Sequence, residues 1–305
     1  MSFSGTNATL YPPPPTNSSC APIEHPLMVT RVLTGDPDVF TNVYPLWTPP
    51  LGRALFGGIL IGAAVSAAQQ TVAPEFVISH MHCTFLAAPD TNKPLYYHVS
   101  RSSDQRSVAS RDVKAAQGGT IFFSAQCSFS LAGRPSPVIH HAKVPELDKQ
   151  GLEVPPPGPK TTREDVDPFY WRDYPPTQDP STTPSVNNTL HSWARSRGNM
   201  SDSQTSHMAV LGCLTDSWFL SGFPDMSPTA AGPGGKNIRF MISLNHTIWF
   251  HDPYVRLDDW LLVRKASSWA AEGRCLLEQQ IWDSKGKLVV TCVQEGVLRL
   301  AQPKI

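Results

Sequence analysis

The 305-residue chain has no excess of either charge, since 25 Lys and Arg balance 25 Asp and Glu. Nothing in it therefore calls for nucleic acid or an anionic membrane surface as a partner. No apolar run reaches the length of a bilayer-crossing helix, so no membrane span is expected. The first twenty residues, MSFSGTNATLYPPPPTNSSC, lack the basic start and apolar core of a secretion signal, and residues 1–24 read as a disordered arm. None of the six cysteines stands in a CxxC pair. Most fall in apolar or strand-like runs, which suits buried thiols in a reduced, intracellular protein and makes the sequons at Asn187 and Asn245 chance matches. There is no G-x-S-x-G elbow for a serine nucleophile and no dinucleotide fingerprint. Gly232-Pro-Gly-Gly-Lys236 has the glycines of a phosphate loop but the wrong spacing and no hydroxyl after the lysine. His80 and His82 share one side of a strand without a carboxylate partner, so neither a metal nor a cofactor is expected.

What remains is a pattern of strands. Val77 to Leu86, Leu95 to Ser100, Ser107 to Ala116 and Thr120 to Leu131 are each bounded by turn residues. The last of these alternates cleanly, with Phe123, Ala125, Cys127 and Phe129 on one face and Ser124, Gln126 and Ser128 on the other. Ahead of them, Phe56 to Gln70 carries no charge and is almost entirely apolar and small, which predicts a helix buried nearly all round with something packed very close to its glycines.

Between Ala132 and Asn188 the chain turns proline-rich and reads as a linker with an ordered patch at Phe169-Tyr170-Trp171. Then the pattern repeats. A helical run from Ser201 to Leu220 precedes strands at Ile238 to Phe250, Trp260 to Lys265, Arg274 to Trp282 and Lys287 to Leu300. Ser79-His-Met-His-Cys-Thr-Phe-Leu has a counterpart in Ser243-Leu-Asn-His-Thr-Ile-Trp-Phe, and Gln117-Gly-Gly-Thr in Ser284-Lys-Gly-Lys. The economical reading is a duplicated α+β unit, a helix followed by an antiparallel sheet.

The last strand brings the first sign of chemistry. Gln294 continues the face of Leu288, Val290 and Cys292, so a carboxamide closes an otherwise apolar row. Left without a partner it would cost about 1–3 kcal/mol, so it calls for a hydrogen bond to the protein, a water or a bound molecule.

Ordered along the chain, Phe56-Gly-Gly, His82-Cys-Thr-Phe-Leu, Arg106-Ser107, Leu214-Thr-Asp216, His246-Thr-Ile-Trp-Phe-His251, Asp258-Asp-Trp-Leu-Leu262 and Val293-Gln-Glu-Gly296 resemble the acyl-CoA thioesterase II family. The resemblance implies two tandem hotdog units, each a long antiparallel sheet wrapped around a central helix, at residues 25–131 and 189–301 with the linker 132–188 between them. It implies hydrolysis of an acyl-CoA thioester by an activated water. Asp216 would be the base, Ser243 would stand where the family usually has threonine, and Gln294 would help hold the water. Gly57, Gly58, His82 and Arg106 would contribute to substrate binding.

An aspartate between Cys213-Leu214 and Trp218-Phe219-Leu220 should have a raised pKa, as a base working near neutrality requires. The sequence departs from the family at Ile59, where glutamine is usual, and at Ala87-Ala88-Pro89, where Arg-Pro-Gly is usual. Simple alternation puts Ser243 opposite Ile242 and Leu244, so it reaches a site only if its face lines the cleft. Together these point to a divergent member. The competing readings are processing of a polyketide-type acyl thioester in secondary metabolism and a non-hydrolytic binder, hydratase or isomerase. Pro303-Lys304-Ile305 partly resembles a peroxisomal tripeptide, which leaves cytoplasm and peroxisome both open, as is assembly into a homo-oligomer.

Overall fold

A computed structural model describes residues 20–33, 36–46, 48, 54–145, 167–174 and 185–301. Most of the expected arm, parts of the linker and the C-terminal tripeptide lie outside these residues. In chain order the strands are β1 Val29–Arg31, β2 Val39–Asn42, β3 Phe76–Phe85, β4 Tyr96–Asp104, β5 Val108–Gln117, β6 Thr120–Leu131, β7 Phe169–Asp173, β8 Thr189–Ser196, β9 Ile238–Phe250, β10 Leu261–Ala271, β11 Arg274–Trp282 and β12 Leu288–Leu300. Helix α1, Gly57–Gln69, precedes β3, and helix α2, Gln204–Asp216, precedes β9.

Among the described residues these strands form one antiparallel sheet, ordered β1-β2-β4-β5-β6-β3-β9-β12-β11-β10-β8-β7. The second half of that order repeats the first in reverse, so the sheet is two copies of one unit joined edge to edge. The joint is the pairing of β3 with β9, from His80↔Trp249 to Thr84↔Asn245. These are the two hotdog units the sequence predicts.

Alternation along the long strands puts one face against the helices. In β12, Val290, Cys292, Gln294, Gly296 and Leu298 are buried, while Thr291, Val293, Glu295 and Val297 between them are partly exposed. The two helices run antiparallel across this face and touch backbone to backbone. A Cβ on Gly58 would meet Cys213 O at 2.7 Å, and one on Gly62 would meet Ala209 O at 2.7 Å. Only glycine permits that approach, which accounts for the small-residue character of the first helix.

Each helix ends on a buried cation from its own unit. Arg111 of β5 donates to Thr71 O at 2.9 Å just beyond α1, and Lys265 of β10 donates to Ser217 O at 3.2 Å and Trp218 O at 2.9 Å just beyond α2. Both positive charges face the negative ends of the helix dipoles.

Strands β4 and β10 run past their expected ends to Asp104 and Ala271, helix α2 is shorter than the expected run from Ser201 to Leu220, and three further boundaries differ from the sequence reading. Residues 22–27 form a short 3-10 helix with Ile23, Glu24 and Leu27 buried, so the last residues of the predicted arm are folded against the core. The patch at Phe169 is strand β7, which pairs with β8 and gives the second unit its outermost strand, ahead of the expected start at residue 189. Within the predicted linker, Val144 packs against Trp193, Leu262, Trp282 and Leu288, and Trp282 Nε1 donates to Ala142 O at 3.0 Å. Strands β1, β2 and β7, near the two edges, carry too few residues for alternation to announce them, and β8 buries Ser192, Trp193 and Ala194 in succession, so it shows no clean alternation. No described helix is long and apolar enough to cross a membrane.

Candidate active site

The first turn of α1 and the last residue of α2 meet at the joint between the units. Phe56, the N-cap of α1, offers no side-chain cap. The backbone N–H of Gly58 instead donates to the carboxylate of Asp216. A Cβ at Gly57 would lie 2.7 Å from Asp216 Oδ2 and 2.8 Å from Phe85 Cε1, so the bare backbone there is what admits the carboxylate.

Gln294 reaches the same group from the sheet, its Nε2 donating to Asp216 Oδ1 at 2.6 Å. The amide is fully buried and its Oε1 has no hydrogen-bond partner among the described residues. Burial among apolar groups pushes the Asp216 carboxyl up to about 6, opposed by the hydrogen bonds from Gln294 and Gly58 and by the charge of Lys265.

A pocket of ≈ 380 Å³ opens beside this carboxylate. Gly57, Leu60, Phe85, Ala87, Asp216, Ile242 and Ser243 are among the residues lining it, so the floor is polar and the walls are apolar. Ser243 reaches the pocket because β9 has a bulge. Gly296 pairs with Ser243 while Glu295 pairs with Asn245, so Leu244 is the extra residue. The bulge shifts the alternation by one position and turns Ser243 to the same face as His246 and Gln294.

A bulge occurs at the matching place in β3, between Ile78 and His80. Strand register then equates Ile78 with Ser243, Met81 with His246, and Cys127, the partner of Met81, with Gln294, the partner of His246. The sequence alignment that equates His82 with His246 is therefore off by one residue. At the helix ends Gln69 stands where Asp216 does, but its Nε2 turns back to Phe76 O at 2.6 Å. Polar groups occupy this constellation in the second unit, and apolar side chains or Cys127 replace those on the strands of the first.

Of the residues singled out in the sequence, Gly57, Gly58, Asp216, Ser243 and Gln294 come together. His82 and Arg106 do not. His82 is exposed on the outer face of the sheet, hydrogen-bonded to Thr247 Oγ1 at 2.8 Å, because β3 alternation puts Met81 and Cys83 inward. Arg106 is exposed in the turn leading into β5. That turn lies by the Phe76 end of β3, since Val108 pairs with Ser130 and Phe76 with Leu131, whereas the pocket lies at the Phe85 end.

Sequence reasoning missed Thr215, His246 and Lys265 as members of the site's surroundings. Lys265 left a signal, because it shares the inward phase of β10 with Val263 and Ser267.

An edge-to-edge pair of hotdog units with a pocket at the joint is the architecture of a double hotdog thioesterase. Residues 44–130 match the family description acyl-CoA thioesterase N-terminal domain, and residues 143–298 match acyl-CoA thioesterase C-terminal domain. The chain is 33% identical to human acyl-coenzyme A thioesterase 8, over 90% of this chain and 89% of that protein. It is 29% identical to acyl-CoA thioesterase 2 of Haemophilus influenzae, over 82% of this chain and 89% of that one. Among solved structures, the acyl-CoA thioesterase II TesB2 of Mycobacterium marinum superposes with a TM-score of 0.73 at 25% identity, covering 93% of this chain and 99% of that one. The chain belongs to the acyl-CoA thioesterase II family, a family of thioester hydrolases.

Proposed function

We propose that the protein hydrolyses acyl-CoA thioesters to a free carboxylic acid and coenzyme A, with Asp216 as general base. The observation that carries this reading is the Asp216–Gln294 pair, a carboxylate raised to about 6 and hydrogen-bonded at 2.6 Å to an amide whose oxygen still accepts. A base in that range is ionised near neutrality yet still takes up a proton readily.

In this reading a water donates one hydrogen to Asp216 and the other to Gln294 Oε1, with Ser243 Oγ beside it in the pocket wall. Its oxygen attacks the thioester carbonyl carbon while Asp216 takes the proton. The developing oxyanion lies toward the first turn of α1, where the backbone N–H of Gly57 and the positive end of the helix dipole favour negative charge. Collapse of the tetrahedral species breaks the carbon–sulfur bond, and Asp216 returns the proton to the departing sulfur. The apolar walls, Leu60, Phe85, Ala87 and Ile242, suit an acyl chain.

The test is release of free thiol from short, medium, long and branched acyl-CoAs by the wild type and by Asp216→Asn in parallel. Release that the substitution reduces by orders of magnitude supports the reading. No release from any of them by folded wild type would overturn it.

A further inference from the structure

His246 is buried beside the reacting groups and has no part in the mechanism above. It is the strand partner of Gln294, and both side chains leave the sheet on the helix face. Both end on neighbouring residues in the last turn of α2, Gln294 on Asp216 and His246 on Thr215, where Nε2 lies 2.9 Å from Oγ1.

The hydrogen-bond roles here follow by elimination. The Thr215 hydroxyl donates to Gly212 O at 2.7 Å, so its oxygen is left to accept and His246 Nε2 carries the hydrogen. His246 Nδ1 is then a lone-pair acceptor, and it is buried with no partner. Gln294 Oε1, also buried, has none either among the described residues, and the mechanism above uses only one of its two lone pairs. Two strand-paired side chains thus each carry a buried acceptor without a partner among the described residues. Two neighbouring acceptors call for a ligand with two hydrogens to give, and a water is the smallest species of that chemistry. Burial holds the imidazole neutral by lowering its pKa to about 3, so the Nδ1 lone pair stays available.

We infer that His246 is a positioning residue whose Nδ1, together with Gln294 Oε1, binds one buried water that holds the Gln294 amide with its N–H toward Asp216. This water is separate from the one that attacks. Its effect on rate rests on the thioesterase reading, but its existence does not.

The test has two parts. A crystal structure of the wild-type protein that resolves ordered solvent should place a water within hydrogen-bonding distance of both Nδ1 and Oε1, and its absence there overturns the inference. Thiol release is then compared for two variants that divide the imidazole between them. His246→Asn keeps an acceptor at the Nδ1 position and loses the bond to Thr215, while His246→Gln does the reverse. With the water in place, kcat falls about tenfold or more in His246→Gln with little change in KM, and stays within about threefold of wild type in His246→Asn. The opposite order, or equal losses that follow the melting temperature, would make His246 a purely structural tie to Thr215 and overturn the inference. Wild type that releases no thiol removes the thioesterase reading instead, and the solvent density then decides the water by itself.

Discussion

Asp216 stands over the first turn of α1 so closely that a methyl group on Gly57 would come within 2.7 Å of its Oδ2. The acid that ends one helix is in effect the cap that begins the other. Its proton affinity is therefore set by both helices as well as by burial.

If Asp216 is the base, the rate follows its ionisation. Below about 6 the carboxyl is protonated and cannot accept, so kcat/KM should climb through that value as a single ionisation and level off above it. Asp216→Asn should lower kcat by about 10²–10⁴ and abolish that limb. A pH series of thiol release for both proteins checks this, and a limb that survives the substitution belongs to another group.

Stability should carry the same signature with the opposite sign. The folded-state pKa of this acid lies above its ordinary value of 3.8, so between 3.8 and about 6 the folded protein binds more protons at this group than the unfolded chain. Its contribution thus favours folding at low pH and is lost as pH rises through that window. Urea midpoints measured from pH 4 to 8 should show wild type losing ground to Asp216→Asn across the window and a constant difference beyond it.

The two glycines at the start of α1 should fail in different ways. In Gly57→Ala the new methyl group meets the Asp216 carboxylate and the Phe85 ring, both side chains, so the fold should survive while kcat falls. In Gly58→Ala it meets the backbone oxygen of Cys213, which can move only if the helices part. That overpacking should cost about 1–3 kcal/mol, seen as a lower melting temperature. Equal melting temperatures for the two variants would contradict the close helix contact.

Lys265 should act on both stability and rate. Its ammonium holds the carbonyls of Ser217 and Trp218 and lowers the proton affinity of Asp216. Lys265→Met should destabilise the fold and move the acidic limb of the rate profile to higher pH. A limb that stays in place would show that the charge does not reach the base.

Removing His82 or Arg106 should leave kcat unchanged, because one lies on the outer face of β3 and the other at the far end of the first unit. A large fall in kcat for His82→Ala or Arg106→Ala would mean that substrate reaches well beyond the pocket.

The fold was legible wherever strands were long. Thr120 to Leu131 and Leu288 to Leu300 alternate over enough residues to declare both a strand and its buried face. Edge strands β1, β2 and β7 are short and were absorbed into irregular or proline-rich stretches, while β8 lacks a clean alternation.

In the site, Asp216 and Gln294 stood out as polar groups in apolar rows, and it was the family resemblance that assigned them to one site. Ser243 could not be placed, since a bulge has no reliable residue signature and moves every later side chain to the other face. The same one-residue slip made His82 look like the twin of His246, although register gives that place to Met81. His82 and Arg106 belonged to recognisable motifs, but membership of a motif does not say which face or end of a sheet a residue occupies.

Ile78, Met81 and Cys127 stand where Ser243, His246 and Gln294 stand in the second unit, so under the proposed mechanism duplication doubled the scaffold without doubling the chemistry. A tight, slowly released ligand should therefore titrate to one equivalent per polypeptide, not one per hotdog. The first unit is also left free to vary its side of the pocket without touching the proposed proton-handling residues, so changes of acyl preference should accumulate there first.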